Sequence, residues 1–319
     1  MELPFPLKAA IERLVADRSQ AELRRAGETL SKRYRAETRD GRLHLSDDLT
    51  AQAYAAARMP ATYAAIRECL AQISAARPDL SPRGLLDVGA GPGTALWAAQ
   101  DAFGIEEALL LEASDPIRRV GERLWDGAFD FAPRYEAVDA AKGLGGAPSA
   151  DLVTLAYVLD EIDPGHVPRL VDDLWAATRQ LLLIVEPGTP AGWRRILQVR
   201  RRLIAAGGHL VAPCPHALDC PVVEPDWCHF ARRLPRSKLH RQIKGGEAPF
   251  EDEKFAYVAV ARSPGELPQA RVLTSPREAS GRVALKLCRD DGSLAEHLVT
   301  RRDGADYKRA KRLGWGDSW

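Results

Sequence analysis

Apolar residues recur at helical spacing through the first eighty positions of the chain. Leu7, Ile11, Leu14 and Val15 fall on one helical face and Tyr63, Ile66, Leu70 and Ile73 on another, before Pro78 and Pro82 stop continuation. From Gly84 the texture changes to short apolar runs: Gly84 to Val88, Ala108 to Glu112, Tyr135 to Val138, Asp151 to Val158 and Gln180 to Val185, with Phe255 to Ala261 able to close a sheet. Runs of this length, separated by amphipathic stretches, predict βαβ units and a parallel sheet covered on both faces. The rhythm breaks between Pro187 and Gly245, where no clear strand is visible. After Ser263-Pro264-Gly265 it resumes as a small β unit, in which Gly281 to Cys288 and Leu294 to Arg301 flank the hairpin-type turn Asp290-Asp291-Gly292-Ser293. A basic helical tail, Tyr307 to Leu313, precedes Gly314-Trp315-Gly316-Asp317.

The expectation is an α/β, Rossmann-like fold in three parts. A helical cap covers 1–80, the main domain covers 81–262 with an insertion at about 191–245, and a β unit with a basic tail covers 263–319. An apolar fraction of 45% over 319 residues suffices for one large core with appended pieces. No basic segment followed by an apolar run opens the chain, and no window approaches the roughly 18 apolar residues of a membrane span. The sequence thus predicts a soluble, cytoplasmic protein with no membrane partner.

Charge changes the picture only locally. Lys and Arg total 45 against 44 Asp and Glu. From Ala191 to Gly245, however, eleven basic residues face only Asp219, Glu224 and Asp226, a candidate polyanion-binding surface that a solvated helix face would explain equally well.

The sharpest chemical signal is Asp87-Val88-Gly89-Ala90-Gly91-Pro92-Gly93, a strand end running into a glycine-rich turn with a helix-competent segment behind it. Glycines there let the chain turn sharply and bring a ligand against main-chain N–H groups at a helix N-terminus. Thr94 stands where a dinucleotide fingerprint has its last glycine, which argues against NAD. Glu112, ending the second strand, is positioned to accept ribose hydroxyls, and Asp139, ending the third, sits on the adenine side. Asp87, Gly89, Gly91, Gly93 and Glu112 together resemble the cofactor motifs of class I S-adenosylmethionine-dependent methyltransferases over roughly residues 84 to 262. After the fourth strand stands Ala156-Tyr157-Val158-Leu159-Asp160-Glu161, without the proline pair of base-amino methyltransferases. An amino-group mechanism of that kind has no seat, and Asp160 and Glu161 read as helix-capping residues before they read as bases.

Five cysteines without a secretory signal read as thiols or metal ligands. Cys214, Cys220 and Cys228 share one proline-rich loop with His216 and His229, Cys288 lies far downstream on a predicted strand, and Cys69 stands alone on a helix face. Soft thiolates select zinc or an iron–sulfur cluster, and the spacing leaves both open. A nucleophilic Cys214 after Pro213 is the weaker reading beside two neighbouring thiols.

The cysteine loop with Cys288, the segment Arg58-Met59-Pro60-Ala61-Thr62-Tyr63, the strand end Glu186-Pro187-Gly188-Thr189 and the terminal Tyr307 and Trp315-Gly316-Asp317 are together similar to the mitochondrial small-ribosomal-subunit assembly-factor family, also called methyltransferase-like protein seventeen, and its bacterial relatives. The resemblance implies a methyltransferase-like fold that binds S-adenosylmethionine, holds a [4Fe–4S] cluster on Cys214, Cys220, Cys228 and Cys288, and associates with the small ribosomal subunit and its 16S-type RNA during assembly. The basic insertion, the tail cations Arg301, Arg302, Lys308, Arg309, Lys311 and Arg312, and the aromatics Trp193 and Trp227 would supply RNA contacts. The alternatives are an active RNA methyltransferase and a zinc-stabilised small-molecule methyltransferase.

Overall fold

The computed structural model describes residues 2–36, 45–244 and 247–319. Four helices come first: α1 (Phe5–Leu14), α2 (Gln20–Arg35), α3 (Asp48–Ala57) and α4 (Met59–Ala76). Both α2 and α3 open on a capping box, Ser19 with Glu22 and Asp47 with Thr50, which satisfies main-chain donors the helix itself leaves free. The alternating region follows as β1 (Gly84–Val88), α5 (Thr94–Phe103), β2 (Glu107–Leu111), α6 (Asp115–Trp125), β3 (Arg134–Glu136), β4 (Ala150–Ala156), α7 (Val167–Ala177) and β5 (Thr178–Pro187).

The stretch expected to lack strands is structured. It contains α8 (Pro190–Ala205), β6 (His209–Ala212), β7 (Phe230–Pro235) and α9 (Lys238–Lys244) before the long β8 (Phe250–Ala261). The two strands escape sequence reading because each is short and leans on part of β8. The first half of β8 pairs with β7, Phe255 opposite Phe230, and its second half with β6, Val260 opposite Leu210.

The strand order is β3-β2-β1-β4-β5-β8-β6. The first five strands are parallel, whereas β8 runs antiparallel to β5. Chain order reverses between β1 and β4, so the carboxyl ends of these two strands open the crevice where such folds bind ligands. This is the Rossmann-like topology that the alternating pattern predicts, and it agrees with the class I methyltransferase fold that the glycine-turn resemblance implies.

Alternation along each strand sends successive side chains to opposite faces. Leu85, Leu152, Leu183 and Tyr257 join the core packed under α1 to α6, and Leu86, Val153, Ile184 and Val258 join the core under α7 and α8. The N-terminal helices share the first of these cores with the sheet, Ile66, Leu70 and Ile73 of α4 being almost fully buried.

The second sheet comprises β9 (Ala270–Val272), β10 (Arg277–Ala279), β11 (Arg282–Arg289) and β12 (Leu294–Thr300), followed by α10 (Ala305–Ala310). Val283, Leu285 and Leu287 face its own small core. Cys288, one residue out of phase with them, joins the core of the central sheet instead. No helix among the described residues is long and apolar enough to cross a membrane.

Candidate functional site

At the end of β1 the chain turns through Gly89, Gly91 and Gly93, all at positive φ (64°, 54° and 79°). A Cβ on Gly89 would lie 2.4 Å from Val158, and one on Gly93 2.6 Å from Trp125, whereas one on Gly91 would meet none of the described residues within 4 Å. Gly89 and Gly93 are thus required by packing, and Gly91 borders open space.

Glu112 follows directly on β2 and reaches back to this turn. Its carboxylate accepts from the Gly91 N–H at 2.9 Å and from the Ser114 N–H at 2.8 Å, so each oxygen is held in place by a main-chain donor. Burial raises its pKa, an effect these two bonds oppose. The Tyr135 hydroxyl donates to the Gly91 carbonyl at 2.6 Å.

Below the turn, Asp87 accepts from the Thr154 hydroxyl at 2.6 Å while its other oxygen is buried without a partner among the described residues. Burial, reinforced by the charge of Glu112, pushes Asp87 up to about 7 despite the opposing bond from Thr154. Asp139 lies beyond β3, where it accepts from the Ala141 N–H at 3.0 Å, caps a single 3₁₀ turn and pairs with Lys142 at 3.1 Å.

The crevice beside the turn is lined by Asp87, Gly89, Gly91, Thr94, Tyr54 and Tyr157 among others. Tyr54 and Tyr157 also line a larger cleft of about 910 Å³ between α2, α3 and the carboxyl ends of β4 and β5. Tyr157 has a φ of 61°, the one left-handed residue other than glycine among those described, and local strain of this kind concentrates at functional sites. Its hydroxyl donates to Glu253 at 3.1 Å, and the Arg58 guanidinium sits 5.3 Å from its ring centre. Nothing in the sequence signals the conformation of Tyr157.

Asp160 and Glu161 do not open a helix, since α7 begins only at Val167 after a loop through Asp163 and Gly165. Glu186, fully buried at the end of β5, accepts from the Leu159 N–H at 3.1 Å and from Arg195 at 2.7 Å, which ties the strand end to the turn after β4. Gly188 follows because a Cβ there would lie 2.6 Å from the backbone of β8.

The cysteines form a second centre. Cys214, Cys220, Cys228 and Cys288 line one small cavity together with Arg200, His216 and Arg271. Cys288 gets there because the alternation of β11 turns it toward the central sheet, and its Sγ lies 3.4 Å from Nε2 of His216. Cys69 is fully buried in α4 and does not line this cavity. All five cysteines are free thiols. Burial raises Cys288 to about 12 and Cys228 well above the ordinary thiol value, with the neighbouring cysteines adding to both shifts. Among the described residues, no three His, Cys, Asp or Glu side chains are close enough to hold a single metal ion. The thiols thus line one space without being drawn together into a metal-holding group.

The basic insertion differs from its sequence reading. Arg194, Arg195, Arg201, Arg202, Arg232, Arg233, Arg236 and Lys244 each pair with a carboxylate, most of them from outside the segment, such as Glu186, Asp172, Glu68, Asp252 and Glu251. Its excess charge is largely neutralised by these carboxylates, many of the pairs lying at the surface. Trp193 is only 5% exposed and packs in the core, so it offers no stacking face. Trp227 is half-buried, donates to the Gly188 carbonyl at 2.9 Å and stacks on His229.

A human protein described as the mitochondrial ribosome assembly protein METTL17 is 32% identical over 285 residues, which covers 83% of this chain and 61% of the human one. The Rsm22-cox11 tandem protein 2 of Schizosaccharomyces pombe, also mitochondrial, is 24% identical over 320 residues, covering 83% of this chain and 42% of that one. The chain thus spans less than two thirds of the length of these relatives. Among solved structures, similarity extends to the magnesium protoporphyrin IX methyltransferase ChlM of Synechocystis with bound S-adenosylmethionine, at 12% identity and a TM-score of 0.41 over 73% of this chain and 91% of that one. The N-methyltransferase NodS of Bradyrhizobium japonicum is similar at 15% identity and a TM-score of 0.39 over 61% and 94%. Residues 48–319 match the family described as mitochondrial small ribosomal subunit Rsm22, and with most of its length inside that match the chain belongs to this family.

Proposed function

We propose that this protein is a methyltransferase-like ribosome-assembly factor that binds the small subunit, carries S-adenosylmethionine on its glycine-rich turn and holds a [4Fe–4S] cluster on Cys214, Cys220, Cys228 and Cys288. The observation that carries the reading is the meeting of four thiols from the loop after β6 and from β11 on one cavity. Four soft thiolates suit iron and sulfide as well as they suit zinc, and the family resemblance favours the cluster. A cluster bound there would fasten the second sheet to the central one, so its binding would contribute to folding.

Gly91 and Glu112 support the cofactor part of the proposal. The turn leaves room at Gly91, and a carboxylate held on two main-chain amides keeps lone pairs for ribose hydroxyls. For RNA the support lies in the C-terminal unit, where Arg301, Arg302, Lys308, Lys311 and Arg312 are exposed.

The deciding experiment is anaerobic purification followed by iron and sulfide analysis and an absorption spectrum. Brown protein with about four irons per chain supports the reading, and colourless protein with stoichiometric zinc overturns it. A second reading, active methyl transfer to RNA, is favoured by the cleft that meets the glycine-turn crevice at Tyr54 and Tyr157. It predicts methyl incorporation into small-subunit RNA, and background incorporation by cofactor-bound protein eliminates it.

A further inference from the structure

Two arginines of the cysteine cavity have no carboxylate partner among the described residues. Arg200 on α8 is 2% exposed and Arg271 on β9 is 1% exposed. Arg200 donates to the carbonyls of His216 and Leu218 at 2.7 and 2.8 Å. Arg271 donates to the carbonyls of Pro213 and Gly316 at 2.7 and 2.8 Å and to the Gln72 side-chain oxygen at 3.0 Å. All of these acceptors are neutral. Nε of Arg200 and Nη2 of Arg271 are buried with no acceptor among the described residues.

A guanidinium cannot shed its proton to escape such a site, and an unpaired buried charge costs several kcal/mol. The balancing charge must therefore come from what both residues face. Both line the cysteine cavity, and Arg271 stands directly opposite Cys288 in the antiparallel β9–β11 register, on the same face of the sheet. The cysteines that line this cavity become negative charges once they act as thiolate ligands.

We infer that Arg200 and Arg271 are the counter-charges of an anionic metal–thiolate centre in this cavity and govern how firmly it is held and how readily it is reduced. The inference rests on the cluster reading above. An oxidised [4Fe–4S] core with four thiolates carries a net charge of minus two, which two guanidiniums balance. When the centre takes one electron from an external one-electron reductant, its charge becomes minus three, and the same two cations favour that form. They act as positioning and charge-balancing residues, not as ligands.

The test uses the full chain, loaded with iron and sulfide, as wild type and as Arg200→Gln, Arg271→Gln, Arg200→Lys and Arg271→Lys. Loss of iron to a chelator and the midpoint potential in a dithionite titration are read out. Each Gln variant is expected to lose iron about 10- to 100-fold faster and to shift its midpoint to more negative values, while the Lys variants restore the midpoint. If the arginines only tie loops through carbonyls, Lys and Gln behave alike and the midpoint does not move, which overturns the inference while leaving the cluster in place. Wild-type protein that takes up no iron and sulfide overturns the cluster reading and this inference with it. Should Arg271→Gln fail to fold, Arg200→Gln carries the same comparison.

Discussion

Arg58 and Glu253 meet as a two-pronged ion pair, with Nη1 and Nη2 donating to the two carboxylate oxygens at 3.0 and 2.8 Å across 195 positions of sequence. The pair fastens the break between α3 and α4 to β8, and the Tyr157 hydroxyl donates to the same carboxylate. Glu253 is almost fully buried, so removing Arg58 leaves an uncompensated charge. Arg58→Ala is expected to cost about 3 kcal/mol, and Arg58→Met combined with Glu253→Gln clearly less. Urea unfolding of the single and double variants checks this, and strictly additive losses would contradict it.

Asp87 predicts a pH dependence of known sign. Its folded-state value of about 7 lies above the roughly 3.9 of an unfolded chain. Below pH about 4 both states hold the proton and the residue costs nothing. Between about pH 4 and 7 the unfolded chain ionises while the native one stays protonated, so stability falls as pH rises, by a few kcal/mol at most. Asp87→Asn, isosteric with the neutral acid, should flatten that stretch of the curve. Unfolding midpoints at pH 5 and 7.5 measure it, and an unchanged slope would mean that Asp87 is ionised in the native state.

Why some of this was legible in the sequence and some was not follows from where the information resides. The parallel strands declare themselves because burial on both faces forces continuous apolar runs such as Leu181 to Val185, fully buried throughout. The glycine turn is equally local, since positive φ at Gly89 and Gly93 permits little else. The loop cysteines likewise stand out by proximity in sequence.

What was missed is set by tertiary pairing. The strands β6 and β7 exist because β8 is long enough to partner both. The insertion reads as basic in sequence because several of its carboxylate partners, among them Glu68 and Asp172, lie outside residues 191–245. Arg271 gave no signal, because its neighbours Ala270 and Val272 face the other side of a three-residue strand. The orientation of that strand is decided by pairing with β11.

The glycines of the turn separate packing from binding. Gly89→Ala places a Cβ 2.4 Å from Val158 at a left-handed φ, so it should destabilise the fold by about 2 kcal/mol or more. Gly91→Ala meets nothing and should cost about 1 kcal/mol, from conformation alone. Its added methyl enters the space proposed for the cofactor, so S-adenosylmethionine affinity should fall at least tenfold, a loss of about 1.4 kcal/mol. Calorimetric titration beside thermal unfolding distinguishes the two residues. A Gly91→Ala variant that binds S-adenosylmethionine as wild type does would remove that position from the cofactor site.

The distribution of paired and exposed cations points the RNA prediction toward the C-terminal unit and away from the insertion. Arg201 and Arg202 already pair with Asp219 and Asp172 at the surface, so their counterions are supplied by the protein, and RNA binding there would release little salt. Lys308, Lys311 and Arg312 sit exposed on and just beyond α10. If they contact phosphates, each contributes about 0.7 to the slope of log affinity against log salt for a single strand, so replacing all three by Gln should flatten that slope by about 2. Replacing Arg201 and Arg202 by Gln should leave it nearly unchanged. Filter binding of a small-subunit RNA fragment across a salt series gives both slopes. A larger loss from the insertion variant than from the tail variant would return the interface to the segment with the greater formal charge and show that its ion pairs open when RNA arrives.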